Sequence, residues 1–395
     1  MSDTAATAPA STPTLPQPPK RYFNAIDGLR LLASVNVVLF HLETMGGLND
    51  LGGKPGWLFR IIKGPAFHAS LFFILGGFIF ATKFAPKVAE FDSRAFLKKR
   101  LRELYPLHVI TTLAMVALYV VKRLGTNDVI NVPKLIFSAF MHLSFLWSFC
   151  PLGSMNLNTP SWALSAMFLC YVLFGPLLKW SLKLKNRLVV MGWMVLFFTP
   201  LVAWGILYGA MGSPSALYQL FHGFAPVRFF EFGLGTLLAR FFMLRDENRR
   251  TPLFIAVRCD LAVLLLCCLV FLNLSSTVRA TRVTEWLSYH CWMIPLYLTA
   301  IYTMSMEKGV FARIMAHGVV QKLGRTSFYP YLAHIPLISI ITLFCERVLN
   351  YKKFLHNPVN ILAFTVLLYG CSYVYVYAVR NKRRERKSIM ERNPC

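Results

Sequence analysis

AIDGLRLLASVNVVLFHLETM, residues Ala25–Met45, is a stretch of bilayer length that holds an arginine and a histidine among aliphatic side chains. About twenty such residues in a helix reach roughly 30 Å, the thickness of a hydrocarbon core. Arg30 and His41 stand eleven positions apart. At about 100° per residue they leave the helix on nearly the same face, roughly 16 Å apart along its axis. A cation and an imidazole are costly against lipid, so both are expected to point into a protein-lined site. A bland reading exists beside this one. Asp27 lies one turn before Arg30 and could make an i,i+3 ion pair at the membrane edge, with His41 a packing residue. The shared face of Arg30 and His41 favours function.

The rest of the chain agrees with a membrane class. Of 395 residues, 56% are hydrophobic and 14% aromatic, which predicts a polytopic helical membrane protein rather than a soluble domain. The polar segment Met1–Lys20 is too poor in apolar side chains to fold alone, and residues 1–22 are expected to be a disordered cytoplasmic tail. No small-residue cleavage site follows the first apolar stretch, so it is not read as a cleaved leader. The net charge of +25 could suggest nucleic acid, but the basic residues sit in short loops and at the C-terminal end, as membrane orientation requires. The run Arg380–Lys387 suits anionic headgroups, and residues 381–395 are read as a basic cytoplasmic tail. The nine cysteines show no CxxC or Cys/His metal spacing, so no metal site and no disulfide framework are expected.

Apolar segments fall near residues 25–45, 66–86, 104–122, 135–149, 161–178, 188–208, 223–243, 254–274, 285–305, 326–345 and 359–379. Basic clusters follow the second segment (Lys83 to Arg102) and the fifth (Lys179 to Arg187), placing both loops inside. An even number of crossings must separate them, yet three candidates lie between. Segment 135–149 is short and precedes the uncharged loop Pro151–Pro160, so it is read as re-entrant or interfacial. Arg245, Arg249 and Arg250, the loop Lys308–Arg325 and the C-terminal cluster then also fall inside. The expectation is an all-α bundle of ten spanning helices, one re-entrant or interfacial helix and two cytoplasmic termini. No internal repeat is evident, which disfavours a transporter of duplicated halves.

Further candidates lie along the chain. Lys98–Pro106, KKRLRELYP, is read as the loop entering the third helix, either as an orientation signal or as a clamp for an anionic cytoplasmic ligand. Arg228 and Glu231 in RFFEFGLG could be a structural salt bridge, or Glu231 could face a cavity. His334 in YPYLAHIP is expected inside the bundle. Gly76, Gly77, Gly233 and Gly235 would allow helices to approach closely.

These residues resemble a known family. Ile26–His41, IDGLRLLASVNVVLFH, resembles the first-helix Arg-x10-His signature of the bacterial membrane acyltransferase-3 family. FFILGGF (Phe72–Phe78) is similar to its FFxLSGF, and Arg100–Pro106 to its RRxxRxYP. SWALSAMFLCY (Ser161–Tyr171) resembles WSLSVExxFY, Arg228–Gly235 resembles RxxEFxxG, and Leu323–Leu337 resembles LGxxSYxxYLxHxP. The resemblance implies a transmembrane acyltransferase domain over 23–380 in a bacterial inner membrane. It would move an acyl group, commonly acetyl from acetyl-CoA, to a hydroxyl of a cell-envelope glycan or its lipid-linked precursor. It implies His41 as general base, with Arg30 and Asp27 at the catalytic site and Arg100, Arg102 and Tyr105 holding the CoA. Trp162, Arg228, Glu231 and His334 would wall the substrate cavity. Two positions depart from the pattern: Met167 stands where the family commonly has glutamate, and Glu103 stands where it has arginine. The chain ends soon after the last apolar segment, so a stand-alone form without a fused extracytoplasmic domain is expected. The competing reading is a transporter or flippase that moves a glycan or lipid without bond chemistry.

Overall fold

A computed structural model describes residues 23–45, 66–150, 155–212, 217–245, 252–275, 291–351 and 354–380. The two tails, 1–22 and 381–395, and residues 151–154 of the uncharged loop lie outside these. Among the described residues there is no strand. Helices α1 (Asn24–Thr44), α2 (Ala66–Phe84), α3 (Ser93–Gly125), α4 (Val132–Leu143), α5 (Ser161–Lys183) and α6 (Arg187–Ala210) come first. Then follow α7 (Tyr218–Gly223), α8 (Ala225–Met243), α9 (Pro252–Ser275) and α10 (Met293–Ser305). The short α11 (Val310–Met315) and α12 (Gly318–Thr326) lead into α13 (Phe328–Arg347) and α14 (Pro358–Val374).

Seven stretches among the described residues are long and apolar enough to cross a membrane: Asn24–Leu42, Ala69–Glu90, Ser93–Gly125, Ser161–Lys183, Arg187–Ala210, Phe328–Arg347 and Pro358–Ala378. The protein is thus a multi-pass membrane protein, with seven such stretches where ten crossings were expected. The other three expected crossings are α8, α9 and a segment whose residues 285–290 lie outside the described ones. Helix α8 carries Arg228, Glu231 and Arg240, so it is not uniformly apolar. At twelve residues, α4 extends only about 18 Å, well short of a crossing. It buries Leu135, Ser138, Met141 and His142 and exposes Ile136, Phe137 and Phe140.

Two stretches read as loops are helical. Lys98–Pro106 belongs to the first half of α3, because Asp92 caps that helix by accepting from the Arg94 N–H and no breaker intervenes before Pro106. Most of Lys308–Arg325 forms α11 and α12, both packed against α1. Capping repeats along the chain: Asn131, Asn186 and Asn357 each accept from a backbone N–H in the first turn of α4, α6 and α14.

Prolines inside the apolar helices leave carbonyls without an i+4 donor, and side chains fill two of them. Pro336 cannot serve Leu332, whose oxygen accepts from Asn158 Nδ2 at 3.1 Å. Pro200 cannot serve Leu196, whose oxygen accepts from Thr199 Oγ1 at 2.8 Å.

Helices α2 and α8 cross in close contact. A Cβ on Gly77 would lie 1.9 Å from the Phe232 carbonyl oxygen, and one on Gly235 would lie 1.9 Å from that of Ile74. The expected close approach therefore runs through Gly77 and Gly235. Gly76 and Gly233 meet side chains instead. Helices α1 and α13 run parallel: Ser34 Oγ donates to the Ser327 carbonyl at 3.1 Å, and Tyr369 of α14 donates to Ser34 Oγ at 2.6 Å. Seven residues further along both helices, two turns on, stand His41 and His334.

Candidate active site

A cavity of about 1270 Å³ lies among α1, α2, α3, α5, α8 and α13. That exceeds the roughly 300–1000 Å³ of ordinary small-molecule pockets. On α2 its wall runs from Ala69 to Lys83, about 21 Å of helix. Lys83 and Lys87 sit at one end of that wall, and Arg30, Arg100 and Arg240 also line the cavity, with Asp27 as the one acidic lining residue among those described. Between them the wall is apolar, with Phe72, Phe73, Ile79, Phe80, Leu164 and Phe328. A basic mouth on an apolar bore suits a long molecule with an anionic head.

Several of the cations are held in place. The Arg100 guanidinium pairs with Glu103 at 3.0 Å and lies over the rings of Phe80 (4.7 Å) and Phe96 (5.4 Å). Arg240 donates from Nε to the Leu184 carbonyl at 2.7 Å. Asp27 is buried and bridges two cations, Arg30 at 3.4 Å and Arg325 at 3.1 Å. Gly324 permits this approach, since a Cβ there would overlap the Asp27 carbonyl.

At the far end of the bore the lining residues are Ala69, Phe72, Tyr331 and Leu332. The Tyr331 ring packs on Phe72 at 5.5 Å and stands 6.4 Å from the His334 ring. Its hydroxyl donates to the Pro160 carbonyl at 3.2 Å. Beyond it, His334 Nε2 lies 3.0 Å from His41 Nδ1, with His334 fully buried. Neither histidine is among the described residues that line the cavity.

The expected site residues thus divide. Arg30, Asp27 and Arg100 line the cavity, and His41 meets His334 just past its end. Asp27 cannot join His41 at the reacting atoms, because fourteen residues of α1 put them about 21 Å apart; its place is between two guanidiniums. Arg102 and Tyr105 are exposed and do not line the cavity. On α3 the inward face is set by Arg100 and Leu104, one turn apart, and Arg102 points away from it.

Trp162, Arg228 and Glu231 also leave the cavity. They form a separate buried cluster in which Arg228 pairs with Glu231 at 2.5 Å and Ser70 donates to Glu231 at 2.7 Å. Arg228 donates from Nε and Nη2 to the His222 carbonyl, and its guanidinium lies 5.3 Å from the Trp162 ring. This is the salt bridge of the two readings given to Arg228 and Glu231. On the short α7, burial lowers the His222 pKa to about 3, with the Arg228 cation adding to the effect.

Lys83, Lys87, Arg240 and Arg325 were not singled out as site residues. Lys83 and Lys87 were legible only as orientation charge, and Arg240 lay within a span. His142, also not singled out, is structural: its Nδ1 meets Ser161 Oγ at 2.8 Å and its Nε2 accepts from the Leu157 N–H at 3.3 Å.

Residues 23–377 match a family described as an acyltransferase domain. The chain is also 24% identical over 374 residues to YrhL of Bacillus subtilis (strain 168), a protein named provisionally as a peptidoglycan O-acetyltransferase. That alignment covers 90% of this chain and 54% of the relative, so the chain spans about half the length of the relative it matches. No solved structure matches it.

Proposed function

Because the chain belongs to the acyltransferase-3 family, we propose that it is a membrane O-acyltransferase with an acyl-CoA donor, acetyl-CoA being the simplest, and a cell-envelope glycan as acceptor. The observation that carries this reading is the placement of the His41–His334 pair just past the inner end of a long cavity with five cationic side chains. CoA is a polyanion on a thin, mostly uncharged arm, and the cavity has the matching order of charge and apolar wall. Lys83, Lys87, Arg100 and Arg240 would hold the phosphates, and Arg30, fixed by Asp27, would lie along the arm.

The acceptor would come from the opposite side. His41 takes the proton of its hydroxyl while the oxygen attacks the thioester carbonyl, and the departing thiolate recovers that proton. In this reading the basic mouth is cytoplasmic, the membrane is the bacterial inner membrane, and the ten-crossing arrangement with inner termini applies. Group transfer, rather than carriage of a whole glycan or lipid, is the reading that the family and the named activity of YrhL support.

Inside-out vesicles supplied with radiolabelled acetyl-CoA test this. His41→Ala is expected to lower incorporation into envelope glycan by about 100-fold or more while the protein accumulates normally. Unchanged incorporation would remove His41 from the role of base.

A further inference from the structure

His334 stands behind His41, outside the cavity wall. Its surroundings permit a definite task. His334 Nδ1 lies 3.1 Å from the Pro330 carbonyl oxygen, and His41 Nδ1 lies 3.0 Å from the Val37 carbonyl oxygen. A carbonyl only accepts, so each Nδ1 must carry a hydrogen. The third contact joins His41 Nδ1 to His334 Nε2 at 3.0 Å. With Nδ1–H on both rings, the single His41 hydrogen is shared between the Val37 carbonyl and His334 Nε2, both of which accept. For His41 this is the neutral tautomer that puts a hydrogen between Nδ1 and these two acceptors. The lone pair of His41 then resides on Nε2.

We propose that His334 is a positioning residue that, together with the Val37 carbonyl, holds His41 in its Nδ1–H tautomer, leaving Nε2 as the atom that accepts the hydroxyl proton. This rests on the reading of His41 as the base. His334 does the work that a carboxylate does behind a catalytic histidine, with a neutral ring in its place. When His41 Nε2 takes the proton, the positive charge formed is shared through the Nδ1–H bond to His334, whose own Nδ1–H stays on Pro330. The step balances. The O–H bond breaks, the ester C–O bond forms, the C–S bond breaks, and the proton passes from Nε2 to the thiolate.

The helices are built to hold the pair. Each ring is tied to the carbonyl one turn back on its own helix, and the helices are pinned two turns below by Ser34 and Ser327. Asn158 supports α13 at Leu332, where Pro336 removes the backbone donor.

Two measurements test the proposal, and they fail separately from the functional reading. The first needs no turnover: nitrogen NMR of histidine-labelled full-length protein in lipid nanodiscs, with the His41 signals assigned from a His41→Asn sample. The expected result is a protonated Nδ1 and an unprotonated Nε2 at His41, shifting to a mixture of tautomers in His334→Leu. An Nε2–H ring in the unaltered protein, or the same tautomer in His334→Leu, would overturn the proposal. The second is acetyl transfer from acetyl-CoA in vesicles. His334→Leu should lower kcat about 100-fold with the KM for acetyl-CoA unchanged, and His334→Gln, which restores an acceptor near Nε2, should recover activity to within roughly 5-fold. Equal loss in Leu and Gln variants, or a loss confined to KM, would also overturn it. If unaltered protein transfers no acetyl, the functional reading falls and the tautomer measurement still decides this one. Should His334→Leu not accumulate, the unaltered protein and the Gln variant carry both arms.

Discussion

Arg30 and His41 were legible because a bilayer-length apolar run gives each charged or titratable residue a cost that needs a reason. The same reasoning pointed to His334, and the structure adds what one-dimensional spacing could not: that it touches His41. Residues whose charge already had an explanation were passed over. Lys83 and Lys87 satisfied the orientation rule, so their second role at the cavity was hidden until the fold brought them beside Arg100. Met167 also lines the cavity, at the position where the family commonly has glutamate. Substituting it makes a prediction at this scale. Met167→Glu adds a carboxylate to the cavity wall, and under the proposed donor the Kd for CoA measured by calorimetry should rise about 5- to 20-fold, the range of one unfavourable charge interaction at partial screening. Unchanged affinity would separate Met167 from the donor path.

The helices themselves were read well where apolarity alone decides them and less well where a partner decides. Helix α3 begins eleven residues before the apolar part of its sequence, since Asp92 caps it and charged residues are good helix formers. Helices α11 and α12 are too short to show a period and are held by packing on α1. Gly77 and Gly235 were expected to serve a close approach, and their backbone contacts give that expectation a size. Gly77→Ala drives a methyl group into the Phe232 carbonyl, and α2 and α8 must part. A loss of about 2 kcal/mol or more is expected, read as a lower melting temperature in detergent, while Gly192→Ala on α6, with open space around it, should change little. Asn158→Leu tests a different tie. It strands the Leu332 oxygen at a cost of about 1–3 kcal/mol and should loosen α13 beneath His334, lowering both thermal stability and kcat.

For the whole molecule, composition sufficed for the class: a membrane protein, helical without strands among the described residues. The number of crossings did not follow as simply. Helix α8 hides Arg228 and Glu231 inside the protein, so a count by apolarity passes over it, and a count by charge alternation must assume where each loop lies. Labelling from one side decides this. In a cysteine-depleted background, Lys87→Cys should react with an impermeant maleimide only from the inner face, and Ser154→Cys only from the outer face. The reverse pattern would invert the orientation given to the cavity.

The ring of Tyr331, braced by Phe72 and tethered to the Pro160 carbonyl, stands at the head of the bore with the histidine pair on its other side. A carrier must open in turn to each compartment, but under the proposed transfer of two carbons the protein need never do so. In that proposal the Tyr331 ring would stay shut to ions and water while a thioester is threaded up to it, which would keep an activated group from being squandered on hydrolysis. Shaving that ring to alanine should therefore make vesicles collapse a proton gradient faster and spend thioester without acceptor.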